Sequence, residues 1–458
     1  MRPTIFSLLA VSAVACNNHT DVQCEQSGNC DLIGGGTCVA AASGNMWCAY
    51  PDPSCQSGFR FSDQAVGDGL SGKCSSSDVD AGTDARIDAR AGSGVDASTV
   101  EIITDHQSAI LVLGQPNFGT VDVNHGGASA RSLYVPGAVS ASDNGSLWVF
   151  DTGNSRALQW TSAPQSDFAA ASRVIGQNDF VTVSQGSATA NSVTNDLGAL
   201  SENGGKVVVS DGNRNRVLIY DHQPVGNGVA ANLVFGQPNF FMTKFGTTAT
   251  AFNVPDGAWT DGVRVVIAEG SNNRVLIWNS FPTVNQQPPD VVLGHQDFTT
   301  EFPGNPRSAS TLDQPQAVYS DGTRLFVADS GNSRVLIWNS FPQSSGAPAD
   351  IVVGQPDFVT HQTGVDRNRL GFPTGLAVAA GSLFVVDQTN NRVLVFSPIP
   401  TTSYPSAAHV LGQSDFLSNG PGALASGLNV PVQAAVLDHT LYVSDSFNNR
   451  VLAFALTF

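Results

Sequence analysis

The sequence predicts an all-β protein: a six-bladed β-propeller of four-stranded blades over residues 105–458, closed by an N-terminal strand and preceded by a small disulfide-rich module. Three observations predict it. First, a Gly with a Phe four residues on recurs six times, at Gly114 and Phe118, Gly176 and Phe180, Gly236 and Phe240, Gly294 and Phe298, Gly354 and Phe358, and Gly412 and Phe416. Second, an acid with an Arg five residues on recurs in the same register, at Asp151 and Arg156, Asp211 and Arg216, Glu269 and Arg274, Asp329 and Arg334, Asp387 and Arg392, and Asp445 and Arg450. Both landmarks return every 58 to 62 residues, and a fixed internal period marks a repeat architecture. Third, the repeated region opens on a fourth-strand run, Ala109 to Gly114, and ends on a third-strand run, Arg450 to Phe454. Pairing the two closes the ring and removes two sheet edges.

Each unit holds four strand-like runs. In the fourth unit they are 316–320, 325–329, 334–338 and 350–354, separated by Gly, Asn, Pro and Ser. The middle runs are apolar throughout rather than alternating, as a sheet covered on both faces requires. A blade between two neighbours meets that condition. With 46 Gly and only 13% charged residues, the composition suits many tight turns around an apolar core.

The pattern apolar-Asp-x-x-Asn-x-Arg-apolar, as in residues 326–335, resembles the NHL repeat. Glu269 stands for Asp in the third unit and Arg214 for Asn in the second. Pro136, Pro255, Pro315, Pro373 and Pro431 precede the first strand, as that family expects, and the second unit has none. The units are longer than typical NHL repeats, the excess following each Gly-x-x-x-Phe. The resemblance covers residues 109–458 and implies the fold; the family spans scaffolds, RNA binders and a lyase, so it implies no single activity.

The acid–Arg pair falls at the turn between strands two and three, where a carboxylate ending one strand meets a guanidinium opening the next. The Asn between them is expected in the left-handed conformation. Six copies argue for a structural role, as they do for Gln115, Gln177, Gln237, Gln355 and Gln413 and for the Phe series packing the outer strands. His295 replaces that Gln once and is read as a substitute hydrogen-bonding group.

Function is therefore sought where the units differ. The long connections from strand four to the next strand one gather at one mouth of the channel, and loops on a rigid scaffold carry binding sites. At the start of the first strands stand Tyr134, Asp196, Asn253, Asp256, Asp313, Gln316, Thr374, Asn429 and Gln433. This polar, acidic ring fits a hydroxyl-rich ligand or, through Asp196, Asp256 and Asp313, an oxygen-ligated Ca²⁺; solvated strand ends are the plain alternative. None of the eight His falls in a first-strand run, and no HxH, HExxH or Gly-x-Ser-x-Gly motif is present, which argues against zinc or serine-hydrolase chemistry.

The N-terminus has an Arg, then an apolar run from Ile5 to Ala15, then Cys16. The run is too short to span a bilayer and has the form of an export signal. Ala13-Val14-Ala15-Cys16 resembles a lipobox, with Ala13 where Leu is usual, so residues 1–16 are expected to leave a lipidated Cys16; the alternative is ordinary secretory cleavage. Six further Cys, at 24, 30, 38, 48, 55 and 74, form an even set in residues 17–75 and predict three disulfides of undetermined pairing; a metal cluster is the competing reading, disfavoured by the absence of CxxC and by an oxidising compartment. Residues 76–104, mostly Ser, Asp, Ala and Gly, are expected to be a flexible linker.

A net charge of −17 excludes a nucleic-acid footprint, which needs clustered Lys and Arg. The resulting expectation is an exported, envelope-anchored, non-catalytic module binding a protein, peptide or glycan. The competing expectation is a propeller enzyme, a lyase or lactonase-type hydrolase, with Ca²⁺ at the channel mouth.

Overall fold

The computed structural model describes residues 37–40, 46–51, 59–61, 102–194 and 198–458. The chain divides into two compact units, 1–96 and 97–458.

In the first unit, strands Thr37–Ala40, Met46–Pro51 and Phe59–Phe61 form an antiparallel sheet in sequence order. The register sets Cys38 opposite Cys48. Cys48 is buried and disulfide-bonded. Cys16, Cys24, Cys30, Cys55 and Cys74, the export signal and nearly all of the expected linker lie outside the described residues.

The second unit is six antiparallel four-stranded sheets, each in the order strand one to strand four: blades I (Pro136–Ile175), II (Leu200–Phe235), III (Pro255–Leu293), IV (Pro315–Val353), V (Pro373–Leu411) and VI (Pro431–Ala455 with Leu111–Leu113). Blade IV shows the pattern: Pro315–Ser320, Leu325–Asp329, Arg334–Trp338 and Ile351–Val353. In blade VI, strand three is Arg450–Ala455, and the strand beside it is Leu111–Leu113, with Val112 opposite Leu452. Strand one of each blade contacts strand one of the next, and that of blade VI contacts that of blade I, so the ring is closed.

The core is six clusters, each between two adjacent blades. One joins Ile219 and Phe235 of blade II to Ile267 and Trp278 of blade III; Phe235 and Trp278 stack at 5.2 Å. This explains why the middle strands are apolar on both faces: every residue of Leu325–Asp329 and Arg334–Trp338 is buried. Each fully buried large apolar side chain contributes about 1.5–3 kcal/mol of transfer free energy.

Strands two and three are joined by a three-residue 3-10 turn and one left-handed residue. The left-handed residue is not the motif Asn but the next one: Ser155, Asn215, Asn273, Ser333, Asn391 and Asn449, at φ 51 to 54°. The motif Asn is inside the turn because its side chain is needed on the acid.

The Pro of the five first strands that have one also differs from expectation. It is the first residue of the strand, facing the acid that ends strand two, as Pro315 faces Asp329. A proline has no ladder donor to lose at that position. The residue before it has positive φ in blades I, III, IV and VI (Val135, Val254, Gln314 and Val430), rare for a branched side chain. In each case its N–H donates to the left-handed Asn of the preceding blade, as Gln314 N does to Asn273 Oδ1 at 2.8 Å and Val430 N to Asn391 Oδ1 at 2.7 Å. At four of the six junctions one amide thus ties a blade to the one before it.

Candidate ligand-binding site

The six acid–Arg pairs are entirely buried, with Arg Nε to carboxylate distances of 2.6 to 2.9 Å. In blade IV, Asp329 Oδ2 accepts from Arg334 Nε and Asn332 Nδ2, and Oδ1 accepts from the Asp313 N–H. Arg334 then donates to the carbonyls of Phe358, Ser308 and Thr311 in the long loops. The pair therefore pins the long loops to the strand two–three turn, and both lie on one face of the disk. Burial pushes the Glu269 carboxyl up to about 7 and that of Asp445 to about 6, against the pull of Arg274 and Arg450. In blade II, Arg214 takes the Asn place, 3.7 Å from Asp211.

The recurrent Gln side chains are structural too. Gln355 Nε2 donates to the carbonyls of Ser333 and Gln362. His295 takes this place in blade III with Nε2 3.0 Å from the Asn272 carbonyl oxygen. Burial holds its imidazole below the usual histidine range.

The residue after each landmark Phe is exposed and apolar in four blades: Val181, Phe241, Val359 and Leu417. Each N–H donates to an Asp or Asn two residues back, Asp179, Asn239, Asp357 and Asp415, at 2.8 to 2.9 Å. These hydrogen bonds, with a second from the next amide in each turn, hold the Asp179, Asp357 and Asp415 carboxyls below the usual carboxylate range. Asp297, in the same place in blade III, is lowered to about 2 by its Thr299 and Thr300 donors.

The polar ring expected at the strand starts divides in two. Asn253, Asp313 and Asn429 each donate a backbone N–H to the acid of their own turn. Tyr134 does the same with Asp151. Asp256, Gln316, Thr374 and Gln433 do come together, around a void of about 20 Å³, room for roughly one water. There they stitch blades: Gln316 Nε2 donates to Asp256 Oδ2 at 3.1 Å, Thr374 Oγ1 to the Val432 carbonyl, and Leu376 N to Gln433 Oε1. Asp196 lies outside the described residues. Among the described residues, no three His, Cys, Asp or Glu side chains converge as a metal-ligand group.

The larger cavity, about 330 Å³, lies at the other end of the channel. Its walls are the later halves of strand one and the short strand one–two turns, among them Ser140, Ser201, Glu202, Trp259, Tyr319 and Asp321. Sequence reasoning looked at the opposite end. A signal was present: Asp261-Gly-Val-Arg264 and Asp321-Gly-Thr-Arg324 repeat in adjacent units, and both close into turn-capping ion pairs at the cavity wall. Glu202, at the same level, accepts from Ser142, Asn144, Ser146 and Trp148, tying blade I to blade II.

No family model matches the chain, and no curated protein matches it. Solved structures resemble it at low identity. A protein of unknown function from Bacteroides thetaiotaomicron is 11% identical over 78% of this chain and 75% of its own, with a TM-score of 0.44. The PQQ-bound aldose sugar dehydrogenase of Streptomyces coelicolor is 14% identical over 72% and 96%, at 0.41. Virginiamycin B lyase from Staphylococcus aureus, with quinupristin, is 10% identical over 70% and 95%, at 0.37. Likenesses this distant carry no argument about activity. The strand pairing itself establishes the architecture: the chain is a six-bladed β-propeller of four-stranded antiparallel blades.

Proposed function

We propose that the protein is a cell-envelope lipoprotein, anchored through Cys16 and related to NHL-repeat propellers, whose long-loop face docks a protein partner without catalysis. The linker would hold the propeller away from the membrane. The observation that supports this reading is the set of exposed apolar side chains in the long loops, Val181, Phe241, Phe245, Phe302, Val359 and Leu417, from 62% (Val359) to 76% (Leu417) exposed. Exposed apolar side chains concentrated on one face mark interaction surfaces. Asp179, Asp297, Asp357 and Asp415 on the same face favour a protein over an anionic bilayer, which would repel them.

The test is photo-crosslinking in intact cells from probes at Phe241 and Leu417, with probes at Val225 and Val284 in the strand three–four loops of the other face as controls. One protein adduct from the first pair and none from the second is the expected result. Equal adducts from both faces, or none from either, would overturn the reading.

A further inference from the structure

We propose that the 330 Å³ cavity at the short-turn end of the channel binds a neutral saccharide of one or two rings. This site is separate from the long-loop face, and the inference stands whether or not that face docks a protein.

Strand pairing identifies one equivalent strand-one position in all six blades: Ser140, Ser201, Trp259, Tyr319, Ala377 and Ala435. A fold requirement would hold the residue type constant, as it does for the acid–Arg pairs. Here the ring breaks symmetry: hydroxyls on blades I and II, aromatics on III and IV, small side chains on V and VI. All but Ala377 line the cavity. Trp259 is nearly buried and braced by Phe341 at 6.2 Å between ring centroids.

The electrostatics select a neutral ligand. The three carboxylates in the wall are satisfied: Glu202 by four donors, Asp261 by Arg264 at 2.6 Å and Asp321 by Arg324 at 2.7 Å. A charged ligand would be desolvated without a free counter-charge.

Hydrogen-bond capacity selects a polar one. Among the described residues the Ser140 hydroxyl and the Asn203 side-chain amide have no protein partner. Gln433 Oε1 is held by the N–H groups of Leu376 and Ala434 at 2.8 and 3.0 Å, which leaves Nε2 free to donate. Ser201 Oγ accepts from Thr260 N at 3.0 Å and keeps its O–H for a ligand. An apolar occupant would leave these groups unpaired.

A pyranose meets both demands, with a C–H face for Trp259 and Tyr319 and hydroxyls for the serine side. The volume sits near the lower end, about 300 Å³, of small-ligand sites, which limits the occupant to one or two rings.

The experiment is calorimetric titration of the full mature chain with neutral mono- and disaccharides, uronic acids, and neutral and charged dipeptides. Ser140→Ala, Ser140→Phe and Tyr319→Ala are titrated alongside, each with its thermal midpoint. At least one neutral saccharide is expected to bind, about fivefold more weakly to Ser140→Ala and not at all to Ser140→Phe at unchanged thermal midpoint. If Ser140→Phe does not fold, Ser140→Ala and Tyr319→Ala carry the test. No saccharide binding at about 10 mM, binding only of uronic acids or dipeptides, or saccharide binding unaltered by every folded variant would each overturn the proposal.

Discussion

Asp329 and Arg334 meet at 2.6 Å with neither side chain exposed to solvent, and the remaining guanidinium hydrogens hold the carbonyls of Phe358, Ser308 and Thr311. One side chain therefore ties a turn, a strand and two long loops. Removing one partner of a buried pair leaves the other charged and unpaired, which costs about 3–5 kcal/mol. Arg334→Ala is expected to destabilise the propeller by that amount in urea unfolding. Arg334→Ala with Asp329→Ala is expected to cost less than the sum of the single changes. Additivity of the two would show that they do not act as a pair.

His295 offers a pH test. Its folded pKa is lowered by burial, so below the unfolded value of about 6.5 the unfolded chain binds a proton that the folded chain resists. Stability from this group is present above pH 6.5 and is lost as pH falls through the lowered folded pKa. His295→Gln restores the residue of the other five blades and removes the proton. The variant is expected to gain on the parent steadily as pH drops below 6.5, read from urea midpoints at several pH values. A constant difference across pH would exclude the imidazole.

Glu269 acts in the opposite sense. With its carboxyl raised to about 7, the folded chain keeps a proton that the unfolded chain releases, so this stability is full below pH 4.5 and is lost as pH rises through 7. Glu269→Gln removes the titrating group. The parent's unfolding free energy is expected to fall relative to the variant's as pH rises from 4.5 toward about 7. A parallel pair of curves would contradict the assignment.

Gly354 and Gly322 share φ of +91°, yet their surroundings differ. A Cβ on Gly354 would lie 2.7 Å from Leu370 Cδ1 and 3.0 Å from the Ser333 carbonyl, whereas one on Gly322 would meet nothing within 4 Å. Gly322→Ala is expected to cost about 1 kcal/mol, from backbone strain alone. Gly354→Ala adds the clash and is expected to lower the urea midpoint further. Equal losses would mean the loop moves aside.

Leu111–Leu113 is the outer strand of blade VI. Deleting residues up to 114 removes it and bares Arg450–Ala455, a buried apolar strand, as a sheet edge. Such edges pair between chains. The truncated chain is expected to aggregate on gel filtration while the intact chain does not. A monomeric, cooperatively melting truncation would show the closure to be dispensable.

What the sequence determined by itself was periodic. The two landmarks, six times each, specify blade number, strand order and the structural use of the acid, Arg, Gln and Phe, because a repeated environment demands repeated residues. His295 was legible for the same reason, as a donor replacing a donor. Tertiary structure alone decided what lies between blades. The left-handed Asn that holds the next blade, as Asn273 holds Gln314, makes a bond 41 residues apart that no local pattern announces. Asp256, Gln316, Thr374 and Gln433 line one void, where they bond to one another and to neighbouring backbone, because inner strands converge until polar groups meet across the blade junctions. The larger cavity was missed because its distinguishing feature is a lack of repetition. Ser140, Ser201, Trp259 and Tyr319 are unrelated letters until strand pairing sets them at one level of the ring.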